Sequence, residues 1–252
     1  MTDQPSLGLV MGSLLRADGA VLLRNRTSGI VTALVPIIIV VATSFGQKRI
    51  HTLGGPDLII GLALTVGLIS SSLLGYAVSL SQDRQAGVLQ RLRVTPAPSW
   101  MIMSSRLVIQ IVLNLVVAVV VVIIGSIVHG LTLSVAQYAL VLLVAILGAA
   151  VFLSIGQALV GLVDSAGAVN AIGRILFAFL LLLGLFGTTG ILGDTIKAIA
   201  DWSPVGALMT LFADALALAA WSSQDTNALL ACAGYIVVFA FVGIRWFRWS
   251  VR

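Results

Sequence analysis

Charged side chains are scarce in this chain: only 9% of its 252 residues are charged, and every acidic residue is aspartate. A soluble domain carries about 25% charged residues. Hydrophobic residues make up 60% of the chain, and its mean hydropathy is +1.14. Because a water-soluble fold cannot bury that much apolar surface, the sequence predicts a protein whose solvent is lipid.

The residue types that most often carry catalysis or bind metals are also rare. The chain has one cysteine, Cys232, and two histidines, His51 and His129. A single cysteine excludes an intrachain disulfide and a cysteine metal cluster. No glycine-rich phosphate loop and no H-E-x-x-H metal motif occurs in the sequence. We therefore expect that the chain is not an enzyme and that it binds no metal or cofactor itself.

What the sequence does contain is a series of apolar blocks of roughly 20 residues, the length of a helix that crosses a ~30 Å hydrocarbon core. A β-barrel would show alternating stretches of ~10 residues instead. The sequence predicts an all-α, polytopic membrane protein with one domain, 1–252, and six transmembrane helices. The predicted spans are 29–46, 58–80, 107–128, 136–163, 171–192 and 228–247.

Basic residues exceed acidic ones and give a net charge of +5. In a membrane protein such residues flank the spans and face anionic lipid, so we do not expect nucleic acid as a partner. If the N-terminus is cytoplasmic, all of the 14 basic residues except Lys48, Arg49 and Lys197 lie inside. The positive-inside rule therefore predicts that both termini are cytoplasmic. Residues 1–28 lack the apolar core of a cleavable signal peptide, so the first span is expected to act as the targeting signal.

Two further segments are neither spans nor simple loops. Residues 7–23 place apolar side chains on one helical face, which predicts a helix lying on the inner membrane surface, with a break at Asp18-Gly19. Residues 193–227 contain an apolar stretch, 205–220, that is too short to span the membrane easily and is interrupted by Asp214. This second segment predicts an extracytoplasmic re-entrant hairpin with a negative net charge.

A third segment, QDRQAGVLQRLRVTPAP at 82–98, is polar and separates two apolar spans. The helical period places Val88, Leu89 and Leu92 on one side and the arginines on the rest. Proline cannot continue a helix, so Thr95-Pro96 ends it. The segment therefore predicts a short amphipathic cytoplasmic helix over 84–93.

Polar side chains within the spans are the remaining candidates for function, because unpartnered polar groups in lipid are costly. Such side chains either join helices or line a polar substrate path, and the sequence leaves both readings open. The candidates are Gln110, Asn114, Gln157, Asn170 and Arg174.

Residues 83–96 read D-R-Q-A-G-V-L-Q-R-L-R-V-T-P, which resembles the E-R-x-x-G-T-L-E-x-L-x-x-T-P pattern of type-2 ABC exporter permeases. Asp83 keeps the charge of the first glutamate, whereas Val88 and Gln90 replace a threonine and a glutamate. SPVGAL at 203–208 is similar to the proline-containing segment of the same family. The positions that match the first pattern are Arg84, Gly87, Leu89, Leu92, Thr95 and Pro96.

The resemblance implies a permease subunit in the cytoplasmic (inner) membrane of a prokaryote. Two copies of a separate ATP-binding subunit would bind ATP and Mg²⁺, and a second permease, identical or related, would complete a dimer. The cargo implied is a drug, an antibiotic or another small amphiphile. The implied ATPase-coupling helix comprises Asp83, Arg84, Gly87, Val88, Leu89, Arg91, Leu92, Thr95 and Pro96.

In such a permease the outer hairpin would cover the pathway through Asp194, Asp201, Pro204 and Asp214. Gln110, Asn114, Gln157 and Asn170 are the candidates for the substrate path. Three alternatives stay open: export of a lipid or a polysaccharide, secondary transport driven by an ion gradient, and a membrane scaffold that transports nothing. A gradient-driven carrier would favour an acidic residue at the centre of a span, and none is evident in the sequence.

Overall fold

The computed structural model describes residues 7–24, 26–44, 55–93, 98–187 and 193–247. Within these ranges the chain is helical and contains no strand, so the predicted all-α class is confirmed. The helices are α1 (Leu7–Arg24), α2 (Arg26–Ser44), α3 (Pro56–Gln85), α4 (Val88–Arg93), α5 (Ser99–His129), α6 (Val135–Leu162), α7 (Ala166–Gly187), α8 (Asp194–Trp202), α9 (Pro204–Ala217) and α10 (Ser223–Trp246).

Five of these helices, α3, α5, α6, α7 and α10, are long and apolar enough to cross a membrane. They coincide with the predicted second to sixth spans, except that 188–192 lies outside the described residues. The predicted first span, 29–46, overlaps α2, whose apolar described part is Leu34–Thr43. A sixth crossing therefore stays a prediction.

Helix α3 forms the centre of the structure. In its most apolar stretch 83% of the residues are buried within the chain, against 17% for α10. It packs against α2, α5, α6 and α9. Helix α6 approaches it closely, because a Cβ added at Gly156 would lie only 3.0 Å from the Ser72 carbonyl oxygen. Close contact at small residues is the usual way in which helices associate in lipid.

Helix α1 runs without interruption through Asp18-Gly19, so the predicted break is wrong. A contact with α5 explains the difference: the Ser105 hydroxyl donates a hydrogen bond to Asp18 Oδ2 at 2.5 Å. Gly19 faces the same helix, where an added Cβ would lie 3.8 Å from Ile109. Packing on α5 therefore supports the helix across a sequence that would weaken it in isolation. The position of α1 at the membrane surface stays a prediction.

Helices α8 and α9 occupy the predicted outer hairpin and meet at a tight turn. The Ser203 hydroxyl donates to the Ala200 carbonyl oxygen at 2.6 Å and accepts from the Gly206 amide at 3.1 Å. Pro204 follows at the first position of α9, where a missing N–H group costs nothing. Ser203 thus caps both the end of α8 and the start of α9.

Helix α9 is largely buried between α3, α6 and α10, although it is shorter than the crossing helices. Its burial explains why a 14-residue apolar helix carries few polar side chains. Re-entry of this hairpin into the membrane stays a prediction.

Candidate functional site

The segment that resembles a coupling helix is two helices rather than one. Helix α3 ends at Gln85, and α4 begins at Val88 after a turn at Ala86 and Gly87. Gly87 has a φ angle of 72°, a left-handed conformation that costs glycine little and most other residues more. The predicted single helix over 84–93 is therefore wrong, because the chain bends at Gly87.

Arg84 is buried in the structure, with a residual exposure of 1%. Its Nη1 donates to the Val160 carbonyl oxygen at 2.7 Å. Its Nη2 donates to the carbonyl oxygens of Val163 at 2.6 Å and Asp164 at 3.0 Å. These are orphan acceptors at the C-terminal end of α6, where the helix dipole also favours a cation. Arg84 was expected on the implied coupling helix, but α6 binds its guanidinium, so this side chain faces its own chain rather than an outside surface.

Helix α4 presents a mixed face to the outside. Gln90 and Arg91 are exposed, and Val88 and Leu92 are half-buried. Leu89 has no exposed surface and belongs to the hydrophobic core of the chain itself. The predicted apolar docking face of three residues is thus reduced to Val88 and Leu92, since Leu89 anchors α4 to its own protein.

An ion pair joins the C-terminal end of α3 to α5. Arg106 Nη1 lies 2.6 Å from Asp83 Oδ2, and the two side chains are 14% and 34% exposed. Asp83 therefore has a partner within the chain. Neither Arg106 nor Ser105 was predicted from the sequence to take part in this contact region, because a pair 23 positions apart is not indicated by a local pattern.

The end of the predicted segment is outside the described residues. Thr95 and Pro96 lie there, and so does the side chain of Arg93. Their proposed part in docking stays a prediction.

The polar side chains of the spans are mostly paired across helices. The Gln110 amide donates to the Ser71 hydroxyl, and Gln157 Oε1 accepts from the Tyr76 hydroxyl at 2.8 Å. Both partners lie in a π-helical segment of α3, Ser70–Ala77, a type of helix that is rare and frequent at functional sites. These contacts join α5 and α6 to the central helix.

The other two candidates differ from each other. Asn114 is 2% exposed, and its Nδ2 has no acceptor among the described residues. A buried donor left in this state costs about 1–3 kcal/mol. Asn170 accepts a hydrogen bond from Arg174 Nε at 3.1 Å on an exposed face of α7. Of the four predicted path residues, Asn114 is thus the one whose hydrogen-bonding capacity is left open.

A cleft of about 640 Å³ opens between α2, α3, α7, α8, α9 and α10. Its volume falls in the range of small-molecule sites. Leucine, isoleucine and methionine side chains form much of the wall, and polar groups are set among them. The polar lining residues are Thr43, Lys197, Asp201, Thr210, Gln224 and Asn227.

The three predicted hairpin acids are not together. Asp201 lines this cleft, whereas Asp214 lines a different pocket and Asp194 is exposed at the start of α8. Pro204 is buried at the start of α9 and has a structural place in the turn. The hairpin therefore does not present one acidic surface.

Comparison with known proteins is consistent with this architecture. A protein of Bacillus subtilis (strain 168) named "Putative transport permease YvfS" is 26% identical over 145 residues. That match covers 57% of this chain and 59% of the relative's own length. The family model described as ABC-2 type transporter matches residues 11–217, which is well over half of the chain. The resemblance found at 83–96 is therefore confirmed, and the chain belongs to the ABC-2 type transporter family.

Proposed function

We propose that this chain is the permease subunit of an ATP-driven exporter that moves drugs, antibiotics or other amphiphiles out across the cytoplasmic membrane. Members of its family are multi-pass transport components rather than enzymes, and the family implies an ATP-binding partner. In the proposal two copies of that partner bind ATP and Mg²⁺, and two permeases pair around a shared pathway.

The main support for the proposal is the exposed surface of α4. The helix is short, set off by the bend at Gly87, and exposes Gln90 and Arg91 beside the half-buried Val88 and Leu92. A small apolar contact surrounded by basic and polar groups suits a groove on an acidic partner, with the charge favouring fast and specific docking.

A force applied to α4 would reach three crossing helices. Leu89 holds α4 in the core, Arg84 joins the end of α3 to the end of α6, and Asp83 pairs with Arg106 on α5. Because these contacts are short and mostly buried, α3, α5 and α6 would move together as a rigid group. Such a movement can exchange inward for outward access without a nucleotide site on this chain.

For the cargo route we propose the 640 Å³ cleft, with Asp201 and Lys197 as its charged groups. The buried Asn114 stays a candidate path residue, although it does not line this cleft. Mixed apolar and polar walls suit amphiphiles, which combine both kinds of surface. Export of a lipid or a polysaccharide would use the same coupling and is separated from drug efflux by the cargo assay below.

The test is co-purification of the tagged chain with candidate ABC ATP-binding subunits, together with efflux of several drugs and dyes from cells that express both. We expect Arg91→Glu and Leu92→Asp each to reduce ATPase recovery and efflux at least about tenfold, since both residues lie on the proposed docking face.

Arg245→Glu is the matched control, because Arg245 is an exposed arginine in the last turn of α10 and is absent from α4. It should retain both recovery and efflux. Efflux by the chain without any ATPase would instead support a gradient-driven carrier. Unchanged recovery in both α4 variants would remove the docking assignment.

A further inference from the structure

A second pocket, of about 370 Å³, lies between α6, α9 and α10 and is separate from the cleft already described. Its walls are apolar and include Leu143 and Leu147 of α6, Leu211 of α9 and Leu229 of α10. Leu143 is 62% exposed, so the pocket opens on an apolar surface of two crossing helices. In a membrane such a surface faces lipid, from which amphiphilic molecules can enter.

Two carboxyl groups, Asp214 of α9 and Asp225 of α10, line this apolar pocket. Asp225 is 2% exposed, and its Oδ2 accepts from the Ser222 amide at 2.7 Å and the Ser222 hydroxyl at 2.8 Å. Its Oδ1 is buried and has no donor among the described residues. The cap of α10 therefore accounts for one carboxylate oxygen and not for the other.

Asp214 lines the same pocket as Asp225, close enough for the two carboxyl groups to interact electrostatically. Burial raises the pKa of Asp214 to about 6, and the nearby Asp225 carboxyl adds to the increase. When both carboxyl groups are ionised, their negative charges repel each other, because little water reaches this pocket to screen them. A positive charge between them would remove that repulsion.

No basic side chain among the described lining residues supplies that charge. Helix α6 contributes only apolar side chains to the pocket. The charged groups of the neighbouring helices α3 and α8 all lie outside the lining, and two of them, Lys197 and Asp201, line the other cleft. They are Asp57, Asp83, Arg84, Asp194, Lys197 and Asp201.

We propose that this pocket binds an organic cation with an apolar body, whose positive charge lies against Asp214 and Asp225 and whose body contacts α6. A metal ion is a poorer fit, because no group of three or more metal-ligating side chains occurs among the described residues. An anion would be repelled, and a neutral molecule would leave the carboxyl pair uncompensated. The site does not depend on the proposed export function, because its occupancy needs neither ATPase nor transport.

The test measures equilibrium binding of radiolabelled tetraphenylphosphonium to the purified full-length chain at pH 8, with tetraphenylborate as a competitor of the same shape and opposite charge. We expect saturable binding that tetraphenylborate does not displace. Asp214→Asn should weaken it at least about tenfold, because a buried charge pair is lost. The control Asp194→Asn removes an exposed carboxylate outside both pockets and should leave binding unchanged.

A second pair of variants tests the apolar wall without touching charge. Leu143→Trp fills the pocket and should weaken binding at least about tenfold, because the bulkier side chain occupies the volume that the ligand needs. Ile146→Trp, on the same helix and outside the lining, should not. Equal affinity in wild type, Asp214→Asn and Leu143→Trp would show that the pair is only a structural contact between α9 and α10 and would overturn the proposal.

The pH dependence of the wild type gives a third readout. The cation binds the ionised pair, and Asp214 becomes neutral as the pH falls through about 6. Affinity should therefore fall about tenfold between pH 8 and pH 5. In Asp214→Asn this dependence should disappear, whereas a dependence that persists there would contradict the assignment to Asp214.

Discussion

The guanidinium of Arg84 joins two crossing helices through backbone groups rather than through a second charge. Its three hydrogen bonds end on carbonyl oxygens that α6 cannot satisfy itself. The planar, permanently charged guanidinium can meet several acceptors at once, which a lysine ammonium cannot do with the same geometry. Arg84 is therefore a positioning residue for the contact between α3 and α6.

We expect Arg84→Ala to lower the melting temperature of the purified chain by about 5 °C or more, because three carbonyl groups at the end of α6 lose their donor. The melting temperature of Arg84→Lys should lie between those of Arg84→Ala and the wild type. The measurement is thermal unfolding in detergent.

Arg91→Ala provides the comparison, since Arg91 is exposed on α4. It should keep the melting temperature and lose ATPase recovery, whereas Arg84→Ala should show the larger thermal effect. A normal melting temperature in Arg84→Ala would show that these hydrogen bonds do not stabilise the fold.

At the scale of elements, the turn between α8 and α9 is set by the lack of a side chain at Gly206. A Cβ added there would lie 2.0 Å from the Ala200 carbonyl oxygen, which no real contact tolerates. Ser203 caps α9 and Pro204 begins it, but the close approach of the two helices requires the glycine. This contact also fixes α8, which carries Lys197 and Asp201 of the outer cleft.

Gly206→Ala should therefore destabilise the chain by about 2 kcal/mol, since the added methyl group forces the two helices apart. Thermal unfolding measures this effect. Gly234→Ala in α10 is the matched control, because nothing lies within 4 Å of an added Cβ there. That control should be neutral or slightly stabilising, and an equal loss in both variants would contradict the turn geometry.

At the scale of the whole molecule, the distribution of basic residues and the packing of the helices should indicate the same orientation in the membrane. Helices α6 and α10 end at the same side of the bundle, because Gly161 lies beside Gly243 and Phe247. Arg84 reaches the same end of α6, so α4 belongs to that side as well. The positive-inside rule predicts that this side is cytoplasmic and that the α8–α9 hairpin is outside.

Cysteine labelling tests this orientation, and native Cys232 is fully buried and should give little background. In intact cells a membrane-impermeant maleimide should label Asp194→Cys, which is exposed on the hairpin side, and should spare Gln90→Cys, which is exposed on α4. Permeabilised cells should label both. The reverse pattern would invert the predicted topology.

The sequence alone was enough for features that depend on composition and spacing. Apolar blocks as long as the membrane is thick specify crossing helices, and the register of 83–96 identifies the family. The family resemblance also singled out Gly87 as a matching position, although the bend that it permits was not expected.

Only the tertiary structure decided which polar groups are exposed and which face the chain itself. Helical periodicity assigns Leu89 and Arg84 to particular faces of a helix, but it does not predict which part of the protein packs against each face. The end of α6, more than 70 positions away along the chain, turns Arg84 inward. The pairing of Asp214 with Asp225 has the same origin, because α9 and α10 bring together two carboxyl groups that no local pattern connects.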